Sequence, residues 1–212
     1  MPSKFRLRYI FRPLVKLISR ALIKIGFTPN LATVLMILLA FLSFISISIF
    51  SNLLLFSILV FTTGIMDGCD GTIARLTDTV SASGGFLDSV MDRISEFLIF
   101  LGLLVFCWDN ILWGIFDIKL IIIISFLASV MISYFRAKAE AFYEGDYDLG
   151  LMGRSERLFY IFATSLVAFF YGFLNEFLFI FMWLVIISAS FRFVKIKRQI
   201  KEKEGKLSAI SI

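Results

Sequence analysis

Two short stretches decide the reading: residues 67–75, DGCDGTIAR, and residues 84–92, GGFLDSVMD. They sit in two apolar runs, Leu53–Ala74 and Gly85–Trp108, each long enough to cross a bilayer. A charged side chain inside such a run costs roughly 2.5–3.5 kcal/mol on insertion scales, so four aspartates in adjoining runs imply a functional site. Asp67 and Asp70 are three residues apart, and Asp88 and Asp92 four apart. Either spacing puts both carboxylates of a pair on one helix face. The intervening turn is short, which predicts antiparallel neighbouring helices with both pairs at one depth. Four facing carboxylates repel each other unless protons or cations neutralise them.

The rest of the chain fits that setting. Its 212 residues are 59% hydrophobic with a mean hydropathy of +0.93, against about half apolar in a soluble domain. Six apolar runs are expected as spans: Leu31–Phe50, Leu53–Ala74, Gly85–Trp108, Leu120–Tyr134, Leu158–Phe173 and Phe177–Phe191. Apolar residues surround each putative helix without a polar stripe, as in spans rather than surface helices. The expected fold is an all-α integral membrane protein forming a single domain. Residues 1–27 read as an amphipathic interfacial helix, because Arg6, Arg8, Arg12, Lys16, Arg20 and Lys24 interleave with apolar residues such as Phe5, Leu14 and Ile18. Residues 31–191 form the six-helix bundle and residues 192–212 a basic tail. Seven Lys or Arg precede the first span, seven follow the last, and Lys119 alone falls on the opposite side. The positive-inside rule then places both termini and the aspartates on the cytoplasmic side of a cell membrane.

The chain has no histidine, and its two cysteines, Cys69 and Cys107, lie in apolar segments as packing residues. A metal site must therefore use oxygen ligands, which favours Mg²⁺ or Mn²⁺, and four carboxylates could hold two such ions bridging phosphate oxygens. The same pairs would also fit helix-end ion pairs with Arg75 or Arg93. Gly68, Gly71, Gly84 and Gly85 surround the carboxylates, where a small residue admits a ligand or a second backbone.

The two stretches together resemble the signature of the CDP-alcohol phosphotransferases: eight fixed residues across 26 positions, with eight residues between Arg75 and Gly84. The six-span layout and the N-terminal helix are similar too. The resemblance implies that Asp67, Asp70 and Asp88 are principal metal ligands. Asp92 would be the general base, also touching a metal. It further implies contacts to a CDP-lipid, either CDP-diacylglycerol or CDP-archaeol, from Asn30, Thr33, Asp67, Gly71, Ala74, Arg75 and Ser81. Helix capping is an equal explanation for Asn30 and Thr33, and a turn role for Ser81.

A second basic cluster follows span 4, where residues 133–140 read SYFRAKAE, and continues with GRSERL at 153–158 and Arg192. Guanidinium forks suit phosphate, so Arg136, Arg157 and Arg192 are candidates to hold an anionic acceptor, with Lys138 and Arg154 as further candidates. Topological charge alone would account for part of this cluster. The pattern is similar to that of phosphatidylinositol-phosphate and archaetidylinositol-phosphate synthases, although Arg136 and Lys138 have swapped identities and Ser155 stands where proline is common. Inositol 1-phosphate is the implied acceptor, with glycerol 3-phosphate or serine as alternatives within the same chemistry. A cation transporter is the alternative of another class, since intramembrane aspartates suit an ion path. Membrane lipids and, by resemblance, a second copy in a homodimer are the expected partners. Nucleic acid is not.

Overall fold

A computed structural model describes residues 10–143, 145, 147 and 150–210, with side chains described up to residue 205. Phe5, Arg6 and Arg8 of the expected interfacial helix lie outside the described residues. Among the described residues, seven helices and one hairpin follow in order: α1 (Arg12–Lys24), α2 (Pro29–Ser48), α3 (Leu53–Leu76), α4 (Ala82–Phe106), β1 (Ile111–Leu112), β2 (Phe116–Asp117), α5 (Ile118–Phe142), α6 (Arg154–Tyr171) and α7 (Leu174–Ile210).

Short polar side chains set where the helices begin. Thr28 caps α2 by accepting from the Leu31 N–H at 3.3 Å, Asn52 caps α3 through Leu55 at 2.9 Å, and Ser81 caps α4 through Gly84 at 3.1 Å. Each satisfies a backbone donor that the first helical turn leaves open. The cap of α2 is thus Thr28 and neither Asn30 nor Thr33, while Ser81 has the local role that its turn position suggested.

All six expected runs form helices. Four of the helices, Pro29–Ser48, Leu53–Leu76, Ile118–Phe142 and Leu174–Gly205, are long and apolar enough to cross a membrane. The other two, α4 and α6, carry Asp88, Asp92, Arg93 and Glu96, and Arg154, Glu156 and Arg157, which take them out of that class. The packing is that of a membrane bundle. Ser43, Ser46, Ser57, Thr63, Ser125 and Ser165 are buried between helices, whereas Val34, Leu38, Ile123, Leu127 and Ile187 face outward. Small polar residues inside let helix backbones approach, and all of these but Ser165 bond the turn before them. At Gly102, an added Cβ would stand 2.8 Å from Ile47 and 3.3 Å from the Phe44 backbone, so α2 and α4 need glycine there to come this close.

Two expectations need correction. First, α3 and α4 are not intimate neighbours: both pack along α2, and they have little direct contact. They converge only where the aspartates lie. Second, residues 192–210 continue α7 as helix instead of leaving it as a tail. Good helix formers and the Arg198–Glu202 pair at 2.9 Å support that extension. The connection after α4 also holds a small antiparallel hairpin, pairing Ile111 with Asp117 and Leu112 with Phe116.

Helix α1 packs on α3 through Val15, Ile18 and Leu22, beside the buried trio Ala32, Cys69 and Ile73. The ideal Cβ of Gly68 would meet Val15 at 3.2 Å, so this glycine serves helix packing. Arg12, Lys16, Arg20 and Lys24 form an exposed stripe, and Leu14 and Leu17 stay exposed beside it.

Candidate active site

Helix α3 delivers Asp67 and Asp70 near its C-terminal end, and α4 delivers Asp88 and Asp92 near its start. Carboxylate oxygens of Asp67, Asp88 and Asp92 lie within 4.8 Å of one another. Asp70 adjoins Asp88 and turns its Oδ2 to the buried Thr33 hydroxyl, which donates to it at 3.1 Å. Thr33 therefore anchors an aspartate from within the bundle. Asp88 Oδ1 is buried and makes no hydrogen bond to protein. A buried carboxylate oxygen without a donor, among two further carboxylates, is a fitting ligand for a hard cation.

Arg154, the first residue of α6, reaches into this cluster. Its Nη1 donates to both Asp67 and Asp92, and its Nη2 donates to Ser95 Oγ at 2.6 Å. The ion pairs expected with Arg75 or Arg93 are not made; Arg93 donates to the Ser89 carbonyl and Arg75 to Thr72 Oγ1. One guanidinium thus serves two of the four carboxylates, while Asp70 takes the Thr33 hydroxyl and Asp88 Oδ1 has no protein donor.

On the other side of Asp92 lies a cavity of about 280 Å³, whose lining includes Asp92, Glu96, Arg136, Arg154, Arg157 and Arg192. The three arginines favoured as acceptor ligands are thus brought together beside one aspartate. Arg192, on the least distinctive stretch of sequence, is buried and donates to the Leu151 carbonyl at 3.4 Å. Lys138 is not part of this cavity. Two residues on a helix differ by about 200° in direction, so Arg136 faces the cavity and Lys138 points away, its Nζ 4.9 Å from the Phe142 ring.

Glu96 is a residue of the cavity wall that the sequence reading missed. Arg157 is fully buried and donates from Nε to Glu96 Oε1 at 2.6 Å and from Nη2 to Glu96 Oε2 at 2.8 Å. Its Nη1 donates to the Met152 carbonyl at 3.0 Å. The pair is bidentate and shielded, so it fixes the Arg157 guanidinium at the cavity wall. The signal was present: Glu96 is a lone carboxylate one turn beyond Asp92, in an otherwise apolar stretch.

Of the expected CDP-lipid contacts, Gly71 lies under the Arg75 guanidinium, 3.3 Å from an ideal Cβ, beside Asp70. Ala74 lies between them and the end of α3, Ser81 lies across the turn at the start of α4, and Asn30 opens α2. All lie toward the aspartate-bearing end of the bundle. At the far end, Asn110 bonds Asn175 at 3.1 Å, joining the turn before the hairpin to the first turn of α7.

A family model described as CDP-alcohol phosphatidyltransferase matches residues 27–194. The archaetidylinositol phosphate synthase of Pyrococcus horikoshii is 34% identical over 166 residues, covering 78% of this chain and 82% of that protein. Among solved structures, phosphatidylinositol phosphate synthase of Mycobacterium tuberculosis with CDP-DAG bound matches with a TM-score of 0.72 and 26% identity, covering 87% of this chain and 94% of that one. The same protein in complex with manganese and citrate matches with a TM-score of 0.73 and 25% identity, covering 86% and 88%.

Proposed function

From the premise that this chain belongs to the CDP-alcohol phosphatidyltransferase family, we propose that it joins the lipid phosphate of a CDP-lipid to inositol 1-phosphate and releases CMP. The observation that carries this reading is the position of Asp92: of the four aspartates it alone lines the arginine-walled cavity while also belonging to the carboxylate cluster. A base at that boundary stands between an activated phosphate on one side and a bound acceptor on the other.

The donor set suits the metal that the family uses. Asp67, Asp70, Asp88 and Asp92 would hold Mg²⁺ or Mn²⁺, in one or two ions, and the bound metal would offset negative charge on the pyrophosphate. The protein's own groups do the rest. Arg136, Arg157 and Arg192 bind the acceptor's phosphate and turn its hydroxyl toward Asp92. Asp92 takes the hydroxyl proton as the oxygen attacks the β-phosphorus. The new phosphorus–oxygen bond forms as the bond to the CMP oxygen breaks, and CMP carries away the electron pair. Arg75 and the Gly71 backbone beneath it serve the nucleotide side, with Asn30 and Ser81 nearby. Thr33 acts through Asp70, holding its carboxylate in place.

Five arginines around one cavity, Arg93, Arg136, Arg154, Arg157 and Arg192, favour a phosphorylated acceptor over serine, and the similarity to archaetidylinositol and phosphatidylinositol phosphate synthases favours inositol 1-phosphate over glycerol 3-phosphate. Either CDP-diacylglycerol or CDP-archaeol fits as the donor. We read all six long helices as spans, α1 as lying on the anionic membrane surface, and both termini and the site as cytoplasmic, on the distribution of Lys and Arg. A homodimer is proposed on family resemblance alone.

The test is CMP release by the purified protein from each CDP-lipid, with Mg²⁺ and a panel of inositol 1-phosphate, glycerol 3-phosphate and serine. Release with inositol 1-phosphate alone is expected. Release with another acceptor discards the assigned alcohol and keeps the chemistry.

A further inference from the structure

Helices α5 and α7 leave a second recess on the face of α5 opposite the acceptor cavity. It encloses about 520 Å³. Its walls are largely apolar, with Phe142 and Phe193 exposed by 60% and 51%, which is far more ring surface than water-facing helices usually leave open. Lys138, Lys197 and Lys201 line it as well and are all exposed, with Glu204 as the one acidic residue of the lining. Below it, Ala139, Tyr147 and Ile196 form a separate buried cluster that fastens the two helices together.

We propose that this recess binds one anionic membrane phospholipid, its phosphate held by Lys138, Lys197 and Lys201 and its apolar chain laid along Tyr134, Phe135 and Phe193 at the span-end side of the recess. The position supports it. The expected spans end at Tyr134 and Phe191, and both helices continue beyond, so the recess stands where headgroups meet acyl chains. Lys138 rests its Nζ 4.9 Å from the Phe142 ring, the arrangement of a long cationic side chain that keeps its stem on apolar surface and its charge at the polar boundary. The charge excess of three lysines over one glutamate complements an anionic headgroup. A second copy of the chain is the poorer occupant, because a two-fold contact would set these lysines against their own counterparts. The inference uses the membrane placement of the chain but is independent of the proposed reaction.

The experiment is native mass spectrometry of the purified full-length protein in neutral detergent, titrated with phosphatidylglycerol or phosphatidylcholine. The wild-type chain is expected to retain one phosphatidylglycerol in preference to phosphatidylcholine. Lys197→Gln with Lys201→Gln should weaken that retention by about tenfold or more, leave phosphatidylcholine unchanged, and leave CMP release from CDP-lipid intact in neutral detergent free of other phospholipid. Soluble glycerol 3-phosphate should not displace the lipid, since it lacks the chain that fills the groove. Equal retention of both lipids, unchanged retention by the double variant, displacement by the headgroup alone, or a dimer whose cross-links run through residue 197 would each overturn the proposal.

Discussion

Breaking the Glu96–Arg157 pair should be the most damaging single change near the site, and a double-mutant cycle can show that the damage comes from the pair itself. Both side chains are nearly inaccessible, at 1% and 4% exposure, with charge-assisted bonds of 2.6 and 2.8 Å. Removing one partner strands a buried charge, which costs about 3–5 kcal/mol. For a chain of this size each kcal/mol moves the unfolding midpoint by about 2–4 °C, so Glu96→Leu and Arg157→Met should each lower it by about 6–20 °C. Replacing both with apolar residues of similar volume removes both charges at once and should recover much of the loss. The assay is the fraction of detergent-purified protein that stays monodisperse after heating. Additive losses in the double variant would refute the reasoning, because they would mean that the two side chains do not interact. The same logic makes Arg157→Ala a poor probe of the acceptor, since folding and binding would fail together.

Other outcomes follow from the site. Asp92→Asn should cut CMP release by about 10²–10⁴-fold, the usual range for a lost general base, without a lower heat-stability midpoint; retained release would remove Asp92 from that role. Arg136 is accessible and pairs locally with Glu140 at 2.8 Å, so Arg136→Ala should leave folding intact and raise the acceptor KM by about tenfold, the value of one surface-accessible phosphate contact. An unchanged KM would take Arg136 out of the pocket. Arg154 competes with any cation for Asp67 and Asp92, and a charge-assisted bond is worth about 1.5–3 kcal/mol. Arg154→Ala should therefore tighten Mn²⁺ binding by about tenfold or more in substrate-free calorimetry, and weaker binding would show that the guanidinium does not compete with the metal.

Local patterns in the sequence were enough for the helices and for setting two aspartates near one end of each of two helices, because hydropathy and three- or four-residue spacing are local properties. What joins distant segments was not. Arg154 is 87 residues from Asp67, and Arg157 is 61 from Glu96; both reach the site because α6 packs against α3, which no periodicity reports. Arg136 and Lys138 were read as one basic pair, and helix geometry sends them to opposite faces. The hairpin after α4 escaped notice because its three-residue loop carries positive φ at Trp113 and Gly114, without the Asn-Gly or Asp-Gly pair that normally signals such a turn. The extension of α7 was hidden by its charge, which resembles a solvated tail until the Arg198–Glu202 pairing shows helical spacing.

The most direct test of the account follows radiolabelled inositol 1-phosphate into the lipid phase, with purified protein, CDP-lipid and Mg²⁺, before and after chelation. The account predicts label in a lipid product together with CMP in equal amount, loss of both with chelator, and recovery of both on adding Mg²⁺ or Mn²⁺. Label incorporated at full rate with the metal removed, or no label in lipid from folded, metal-supplied protein with either CDP-lipid, would contradict it.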